Sequence, residues 1–187
     1  MPNFTKAAIK QSFIKLLNER PMKQITVRDI VEDCGINRNS FYYHFADIPT
    51  LLEEIVMDEA TQIIGAHPRI DSIEECLTAC MEFGRQNKRA VMHIYQSVNR
   101  ELYEQYLWKV SEAVVTAYTD TLLTDHPIDE TDRMLVIRFY KCVVFGLTTE
   151  WIRTGMRPEL EQDMRRICEL KQGMAEEMFR RCRPKES

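Results

Sequence analysis

The segment from Thr26 to Phe45 constrains the fold of this 187-residue chain more than any other stretch. Thr26 and Asp29, three positions apart, form a capping-box-like pair that starts a helix. Gly35 stands where that helix must end, because glycine readily adopts the left-handed conformation that such an end requires. Asn37 is a favoured residue at the start of a second helix. The segment is therefore predicted to fold as two short helices joined by a tight turn.

The spacing of apolar residues predicts how these two helices pack. Val27, Ile30 and Val31 lie three or four positions apart and form one stripe on the first helix. Phe41 and Phe45 are four apart, so they share one face of the second helix. The outward-facing residues are Arg28 on the first helix and Arg38, Asn39, Tyr42 and Tyr43 on the second.

Such outward-facing side chains suit double-stranded DNA. Arginine can bond guanine bidentately and asparagine can pair with adenine, so Arg28, Arg38 and Asn39 are predicted to read base edges. Hydroxyl and ring groups are expected to contact phosphates or thymine methyls, which sets the register. The predicted DNA-contacting set is Thr26, Arg28, Asn37, Arg38, Asn39, Tyr42, Tyr43 and His44. Two alternatives stay open: these residues only solvate a surface helix, or His44 alone is a packed ring.

The run Phe-Tyr-Tyr-His-Phe at 41–45, with the capping threonine and the turn glycine at matching distances, resembles the DNA-binding domain of the TetR/AcrR family. The resemblance covers roughly residues 5–56 and implies a helix-turn-helix transcriptional regulator. Members of that family usually carry lysines just after the recognition helix, and one of them contacts a phosphate. This chain has Ala46-Asp47-Ile48-Pro49 instead, so the resemblance leaves that phosphate anchor to helix-terminal N–H groups or to another part of the chain.

The distribution of charge fits local contact with nucleic acid. The net charge is −4, but residues 1–50 hold seven Lys/Arg against five acidic residues, a net of +2, which leaves −6 for residues 51–187. A mildly basic head on an acidic body favours phosphate contact without indiscriminate binding to nucleic acid.

Few glycines and prolines and long stretches of helical periodicity predict an all-α fold of about nine helices. The predicted domains are a helix-turn-helix DNA-binding domain at 1–46 and an effector-binding and dimerisation domain at 47–187. The predicted helices cover 5–19, the two helix-turn-helix elements, 49–65, 72–86, 88–97, 101–123, 130–154 and 158–182.

The eighth predicted helix is apolar around most of its circumference, so it must be buried on more than one side. Together with the ninth it predicts a two-fold, four-helix interface in a homodimer. The predicted interface residues are Phe139, Val143, Gly146, Leu147, Trp151, Met164, Ile167, Met174 and Met178. The alternative is that the eighth helix is the central helix of a monomeric bundle. Residues 145–156 also resemble a C-terminal domain found among Firmicute members of the same family.

Aromatic and polar-tipped side chains concentrate in the fifth to eighth helices, where a cavity is predicted to bind a small, partly apolar effector. The predicted lining residues are Phe83, His93, Tyr95, Tyr103, Tyr106, Trp108, Tyr118 and Tyr140. The alternative for each is an ordinary core or surface aromatic.

Several other classes of function are disfavoured. No apolar run is long enough for a membrane span or a signal peptide, so a cytoplasmic protein with six reduced cysteines is expected. Cys76 and Cys80 share a helical face but lack a second ligand pair, so no metal is predicted, nor any other cofactor. No phosphate-binding loop or nucleophile motif is present, so no enzymatic activity is expected.

The sequence favours a dimeric regulator, most simply a repressor, that binds a palindromic double-stranded operator and responds to an effector. One alternative is an adaptor with the same fold that works mainly through a protein partner. Another is an enzyme or carrier that uses the body cavity.

Overall fold

The computed structural model describes residues 2–66, 73–97, 100–124, 128–171 and 173–182. Over these residues the regular secondary structure is helical, which confirms the all-α prediction. In chain order the helices are α1 (Pro2–Glu19), a short 3-10 helix (Met22–Gln24), α2 (Val27–Asp33), α3 (Arg38–His44), α4 (Ile48–Ala66), α5 (Ile73–Gln86), α6 (Lys88–Tyr95), α7 (Arg100–Leu122), α8 (Glu130–Arg153), α9 (Pro158–Leu170) and α10 (Met174–Arg181). The predicted start of the fifth helix at residue 72 lies outside the described residues.

One predicted helix is wrong in extent. The ninth was expected to run unbroken over 158–182, but the chain forms α9 and α10, with Gly173 between them at φ +83°. That left-handed conformation cannot continue an α-helix, and glycine adopts it at little steric cost. The apolar stripe that predicted one helix therefore belongs to two.

The chain divides into two compact units. The head unit consists of Met1–Glu59 and Gln86–Tyr106, and the body unit of Ala60–Arg85 and Leu107–Ser187. The predicted functional boundary at residues 46 and 47 does not coincide with this division, because α6 and the start of α7 pack within the head unit. As a functional boundary it stays a prediction.

The core of the head unit is built from the faces that the periodicity predicted. The stripe of α1 (Ile9, Phe13, Leu16 and Leu17) is buried, as are Ile30 and Val31 of α2, Phe41 and Phe45 of α3, and Leu51, Leu52 and Ile55 of α4. Ala90 of α6 and Tyr106 of α7 complete this cluster. Fully burying a large apolar side chain contributes about 1.5–3 kcal/mol, so this core holds the short α2 and α3 in place.

In the body unit, one face of α8 forms a hydrophobic cluster with α7 and α9. Val136, Ile137, Tyr140 and Val144 pack with Val115 of α7 and Cys168 of α9. Over the described residues, no helix is apolar over a long enough stretch to cross a membrane.

Candidate nucleic-acid interface

The start of α2 is fixed by the predicted capping box. The Thr26 backbone N–H donates to an Asp29 carboxylate oxygen at 2.8 Å, and the Asp29 backbone N–H donates to the Thr26 hydroxyl at 3.2 Å. Arg20 lies 3.1 Å from the other carboxylate oxygen. The Thr26 hydroxyl, its backbone N–H and the Arg20 charge hold the pKa of Asp29 below its ordinary value. The Thr26 side chain is therefore held in place by the hydrogen bonds of the capping box, although it remains exposed to solvent.

The turn between α2 and α3 depends on Gly35. Its φ is +69°, in the left-handed region that other residues rarely adopt. The Ile36 N–H then donates to the Val31 carbonyl oxygen at 3.0 Å, which satisfies one of the unpaired carbonyls at the end of α2. Gly35 thus sets the direction in which α3 begins.

Helix α3, the second helix of the helix-turn-helix, has one buried face and one exposed face. The Asn37 side chain caps it by accepting from the Ser40 backbone N–H at 2.9 Å. Phe41 and Phe45 are 0% and 1% exposed, with ring centroids 5.9 Å apart. The opposite face carries exposed Arg38, Asn39, Tyr42 and Tyr43.

The two tyrosines are unusually open for aromatic side chains. Tyr42 is 55% exposed and Tyr43 is 79% exposed, although each ring touches a neighbour edge-on. Their hydroxyl groups are available to a partner such as a phosphate oxygen. His44 is half-buried, and its ring centroid lies 5.0 Å from that of Tyr43. This position is compatible with both alternatives for His44, packed ring and DNA contact.

Most cations of the helix-turn-helix region are already paired with carboxylates. Lys15 pairs with Asp33 and Arg20 with Asp29. Arg28 donates to Glu32 at 2.7 Å across an exposed turn of α2. Glu32 raises the pKa of Arg28 through this hydrogen bond and its charge. To contact a base, Arg28 must therefore break its ion pair with Glu32.

Arg38 differs from these residues. It is exposed, and within the described parts of the chain its guanidinium has no carboxylate partner. The same holds for Lys23, on the 3-10 helix that precedes α2. The sequence analysis predicted neither that Lys23 is a cation without a carboxylate partner among these residues nor that Glu32 pairs with Arg28. The i,i+4 spacing of Arg28 and Glu32 was the available signal for that pair.

The segment that has no lysines after α3, residues 46–49, contains the cap of α4. Asp47 accepts from the Thr50 backbone N–H at 2.8 Å and from the Thr50 hydroxyl at 2.7 Å, and so caps α4. A carboxylate at this position places negative charge just after the recognition helix.

The predicted effector-lining residues are distributed over both units. His93, Tyr95, Tyr103 and Tyr106 belong to the head unit, whereas Phe83, Trp108, Tyr118 and Tyr140 belong to the body unit. Within the body unit, Tyr118 packs near Val114, while Tyr140 lies in the α8 cluster. That these aromatics share one cavity stays a prediction.

Two of the aromatics already have clear structural partners. The Tyr106 hydroxyl donates to the Pro49 carbonyl oxygen at 2.8 Å. Trp108 is at the surface, 36% exposed, with its ring edge-on to Phe145 and the Lys141 amine 4.4 Å from the ring centroid.

The predicted dimer-interface residues fall into three classes of burial. Phe139, Gly146 and Met174 are exposed, and Val143, Leu147, Ile167 and Met178 are half-buried. Trp151 and Met164 are buried within the single subunit, and their assignment to the interface stays a prediction. Further exposed apolar residues are Met134, Leu135 and Cys142 on α8 and Leu170 at the end of α9.

Two side-chain polar atoms of α8 are buried and lack a hydrogen-bond partner among the described residues. They are the Trp151 indole nitrogen and the Thr149 hydroxyl oxygen. A buried donor left unpaired costs about 1–3 kcal/mol.

Two family models match this chain. The model for "Bacterial regulatory proteins, tetR family" matches residues 14–55, which include all of α2 and α3. The model for "Transcriptional regulator C-terminal region" matches residues 71–173, most of the remainder.

Individual relatives agree with these matches. The HTH-type transcriptional regulator YxbF of Bacillus subtilis (strain 168) is 29% identical over 58 residues, which make up 31% of this chain and 15% of that protein. The match thus spans far less than two thirds of that relative. The dihydroxyacetone kinase operon activator DhaS has a similar structure, with a TM-score of 0.62 at 18% identity over 81% of this chain and 85% of that one. At this identity the likeness concerns the fold alone.

Proposed function

Because the chain belongs to the tetR family of bacterial regulatory proteins, we propose that it binds a palindromic operator as a homodimer and responds to a small-molecule effector. Membership of this family establishes that the chain is a DNA-binding transcriptional regulator. The operator, the dimer and the effector are the parts that we propose.

The open face of α3 carries the proposal. Arg38 is an exposed cation without a carboxylate partner among the described residues, and Asn39 lies beside it. We assign Arg38 to a guanine and Asn39 to an adenine in the major groove. Tyr42 and Tyr43 follow one turn later and are assigned to phosphates, which fix the register of the helix.

Binding to selected duplexes tests this assignment. Wild-type protein first selects sequences from a random double-stranded library, and affinities are then measured for Arg38→Ala and Tyr42→Ala. A bidentate base contact is worth about 1–3 kcal/mol, so Arg38→Ala should weaken binding about five- to 150-fold and relax the preference at one base pair. Arg157→Ala removes an exposed arginine at the start of α9 and serves as the control. Unchanged affinity in both head variants, or no sequence enriched at low salt, would remove the assignment.

A homodimer is supported by the α8 stripe, defined as Met134, Leu135, Phe139, Cys142 and Gly146. The three large side chains are 45–53% exposed. A Cβ on Gly146 would meet no atom within 4 Å, so a second backbone has room to approach there. Large exposed apolar residues on one helix face mark an interaction surface. Two recognition helices about 34–36 Å apart would then read two half-sites.

The oligomeric state tests the α8 stripe. Phe139→Glu should convert the dimer to a monomer in sedimentation experiments and weaken operator binding at least tenfold, because a single head buries too little surface. Gln105→Glu adds the same charge at an exposed position of α7 and should leave the dimer intact. A monomeric wild type, or a dimeric Phe139→Glu variant, would contradict the proposed interface.

Repression is the simplest outcome of operator occupancy, because a bound dimer excludes other proteins from the same DNA without further contacts. DhaS is by its name an activator, so a promoter–reporter assay has to be read for a change in either direction. Higher expression in the wild type than in the deletion strain would contradict repression.

An adaptor role is the second candidate, favoured by Asp47 in place of the usual lysine segment and by the paired cations of α1 and α2. It predicts a stable complex with another protein and no preference among DNA sequences. The library selection above separates the two candidates.

A further inference from the structure

The residues at the start of α2 have their hydrogen-bond donors committed to one carboxylate. The Thr26 hydroxyl donates to Oδ2 of Asp29 at 2.6 Å, and the Thr26 backbone N–H donates to the same atom at 2.8 Å. Arg20 is bound to the other carboxylate oxygen at 3.1 Å. A DNA phosphate that approaches Thr26 therefore finds occupied donors beside a negative charge, so contact there requires a further cation.

The segment after α3 supplies no such cation. Residues 46–49 contain no lysine or arginine, and the Asp47 carboxylate caps α4 through Thr50. The helix-turn-helix thus presents two carboxylates, Asp29 and Asp47, before α2 and after α3. An anionic DNA backbone beside these helices needs a cation from another segment.

Lys23 is a cation that no carboxylate occupies. Residues 2–33 contain six lysines and arginines, and five of them are paired: Lys6 and Lys10 with Glu54, Lys15 with Asp33, Arg20 with Asp29, and Arg28 with Glu32. Within the described parts of the chain, Lys23 has no such partner. A phosphate can therefore bind its amine without first breaking an ion pair.

The backbone of Lys23 is fixed, although its side chain is exposed. Lys23 lies in the 3-10 helix Met22–Gln24, where the Ile25 N–H donates to the Met22 carbonyl oxygen at 3.0 Å. Ile25 is buried, and Met22 packs against the core of the head unit. These two apolar residues hold the segment on the head unit, three positions before Thr26, and leave the Lys23 side chain in solvent.

We propose that the Lys23 amine binds a phosphate of the DNA backbone at the edge of the half-site that α3 reads. This inference rests on the proposed function, because it adds a residue to the same interface. In a helix-turn-helix the first helix crosses the DNA backbone while the second lies in the major groove. Docking of α3 therefore brings α2, and Lys23 just before it, to the phosphates. Lysine binds phosphate as a point charge on a flexible stem, which suits a contact at the rim of an interface.

A phosphate contact affects affinity and leaves the base preference unchanged. Phosphates carry no sequence information, so loss of the Lys23 amine should weaken binding to selected and to shuffled duplexes by the same factor. Each neutralised phosphate contributes about 0.9 to the slope of log K against log salt. The two copies of Lys23 in a homodimer should therefore contribute about 1.8.

Salt titrations of the full chain test the proposal on a duplex selected by the wild type. Between about 50 and about 200 mM salt, Lys23→Gln should lower the slope by about 1.8, so the wild type should lose about twelvefold more affinity than the variant. Lys23→Arg keeps the charge and should keep the wild-type slope. Lys88→Gln removes the same charge from an exposed lysine on α6 of the head unit, which also has no carboxylate partner among the described residues, and should keep the wild-type slope.

Four results would overturn the proposal. They are a wild-type slope in Lys23→Gln, equal losses in Lys23→Gln and Lys88→Gln, a loss confined to the selected duplex, and a lower unfolding temperature of Lys23→Gln. The second would indicate a general effect of net charge, the third a base contact, and the fourth a role of Lys23 in folding. A wild type that enriches no sequence rejects the proposed function together with this contact. A wild type that binds its selected duplex, with any of the four results, rejects only the Lys23 contact.

Discussion

The Nδ1 atom of His93 on α6 lies 2.7 Å from the carbonyl oxygen of Leu17 in the last turn of α1. Carbonyls in the last turn of a helix have no partner within the helix, so the imidazole satisfies one that α1 leaves open. The carbonyl can only accept, which requires the His93 ring to carry a proton on Nδ1. Together with buried Ala90, this bond holds α6 on α1 inside the head unit.

Loss of this hydrogen bond should destabilise the head unit. We expect His93→Ala to lower the free energy of unfolding by about 1–3 kcal/mol, because it removes the donor and leaves the half-buried Leu17 carbonyl unpaired. The measurement is urea unfolding, combined with operator affinity. His93→Asn presents an amide N–H in nearly the same place and should recover much of the loss. If the Asn variant is as unstable as the Ala variant, the bond is not the cause.

Replacement of Gly35 by alanine should also destabilise the helix-turn-helix. A side chain at φ +69° costs about 1–2 kcal/mol, although no atom lies within 4 Å of the added Cβ. Thermal unfolding should therefore show a lower midpoint for Gly35→Ala. Gly65→Ala adds a methyl group to the last turn of α4, also in open space, without a positive φ. That control should be neutral or slightly stabilising, and equal effects of both changes would argue against strain at Gly35.

Removal of the Glu32 charge should strengthen DNA binding. Glu32→Gln frees Arg28 from its 2.7 Å ion pair and takes a negative charge away from the surface assigned to DNA. Binding to the negatively charged duplex is strengthened when a nearby negative charge is removed, and most at low salt, so the affinity at low salt should rise. Glu169→Gln breaks a similar pair with Arg166 in the body unit and is the control. A weaker or unchanged affinity for Glu32→Gln would show that Glu32 does not oppose binding.

Acid should destabilise the helix-turn-helix through two carboxylates, the capping Asp29 and the ion-paired Asp33. Hydrogen bonds from Thr26 lower the pKa of Asp29, and one from Lys15 lowers the pKa of Asp33, each from an ordinary value of 3.8. A carboxyl group whose pKa is lower in the folded state stabilises the protein fully above its unfolded pKa. That contribution is lost as the pH falls through the folded value.

The free energy of unfolding should therefore decline below about pH 4, and Asp29→Asn should show a smaller decline. Unfolding by urea at a series of pH values measures this. An equal decline in the wild type and in Asp29→Asn would exclude the cap as the source.

The local features of the candidate interface could be predicted from the sequence because their interactions connect residues close together in the chain. The Thr26–Asp29 box spans three positions, the turn requires one glycine, and Phe41 and Phe45 share a face through helical periodicity alone. The break at Gly173 was missed because an apolar stripe continued across it. The pairing of Lys15 with Asp33 was missed because it joins two helices.

The sequence by itself thus determined the all-α fold, the helix-turn-helix and the side chains that α3 presents, since backbone capping and periodicity act within a few residues. Tertiary structure alone decided that α6 completes the head unit, where His93 meets Leu17 across 76 positions. It also decided which apolar residues of α8 are buried, such as Trp151, and which face outward, such as Phe139. A helix that is apolar nearly all round has no strong periodic signal, so only its neighbours select the face that is excluded from water.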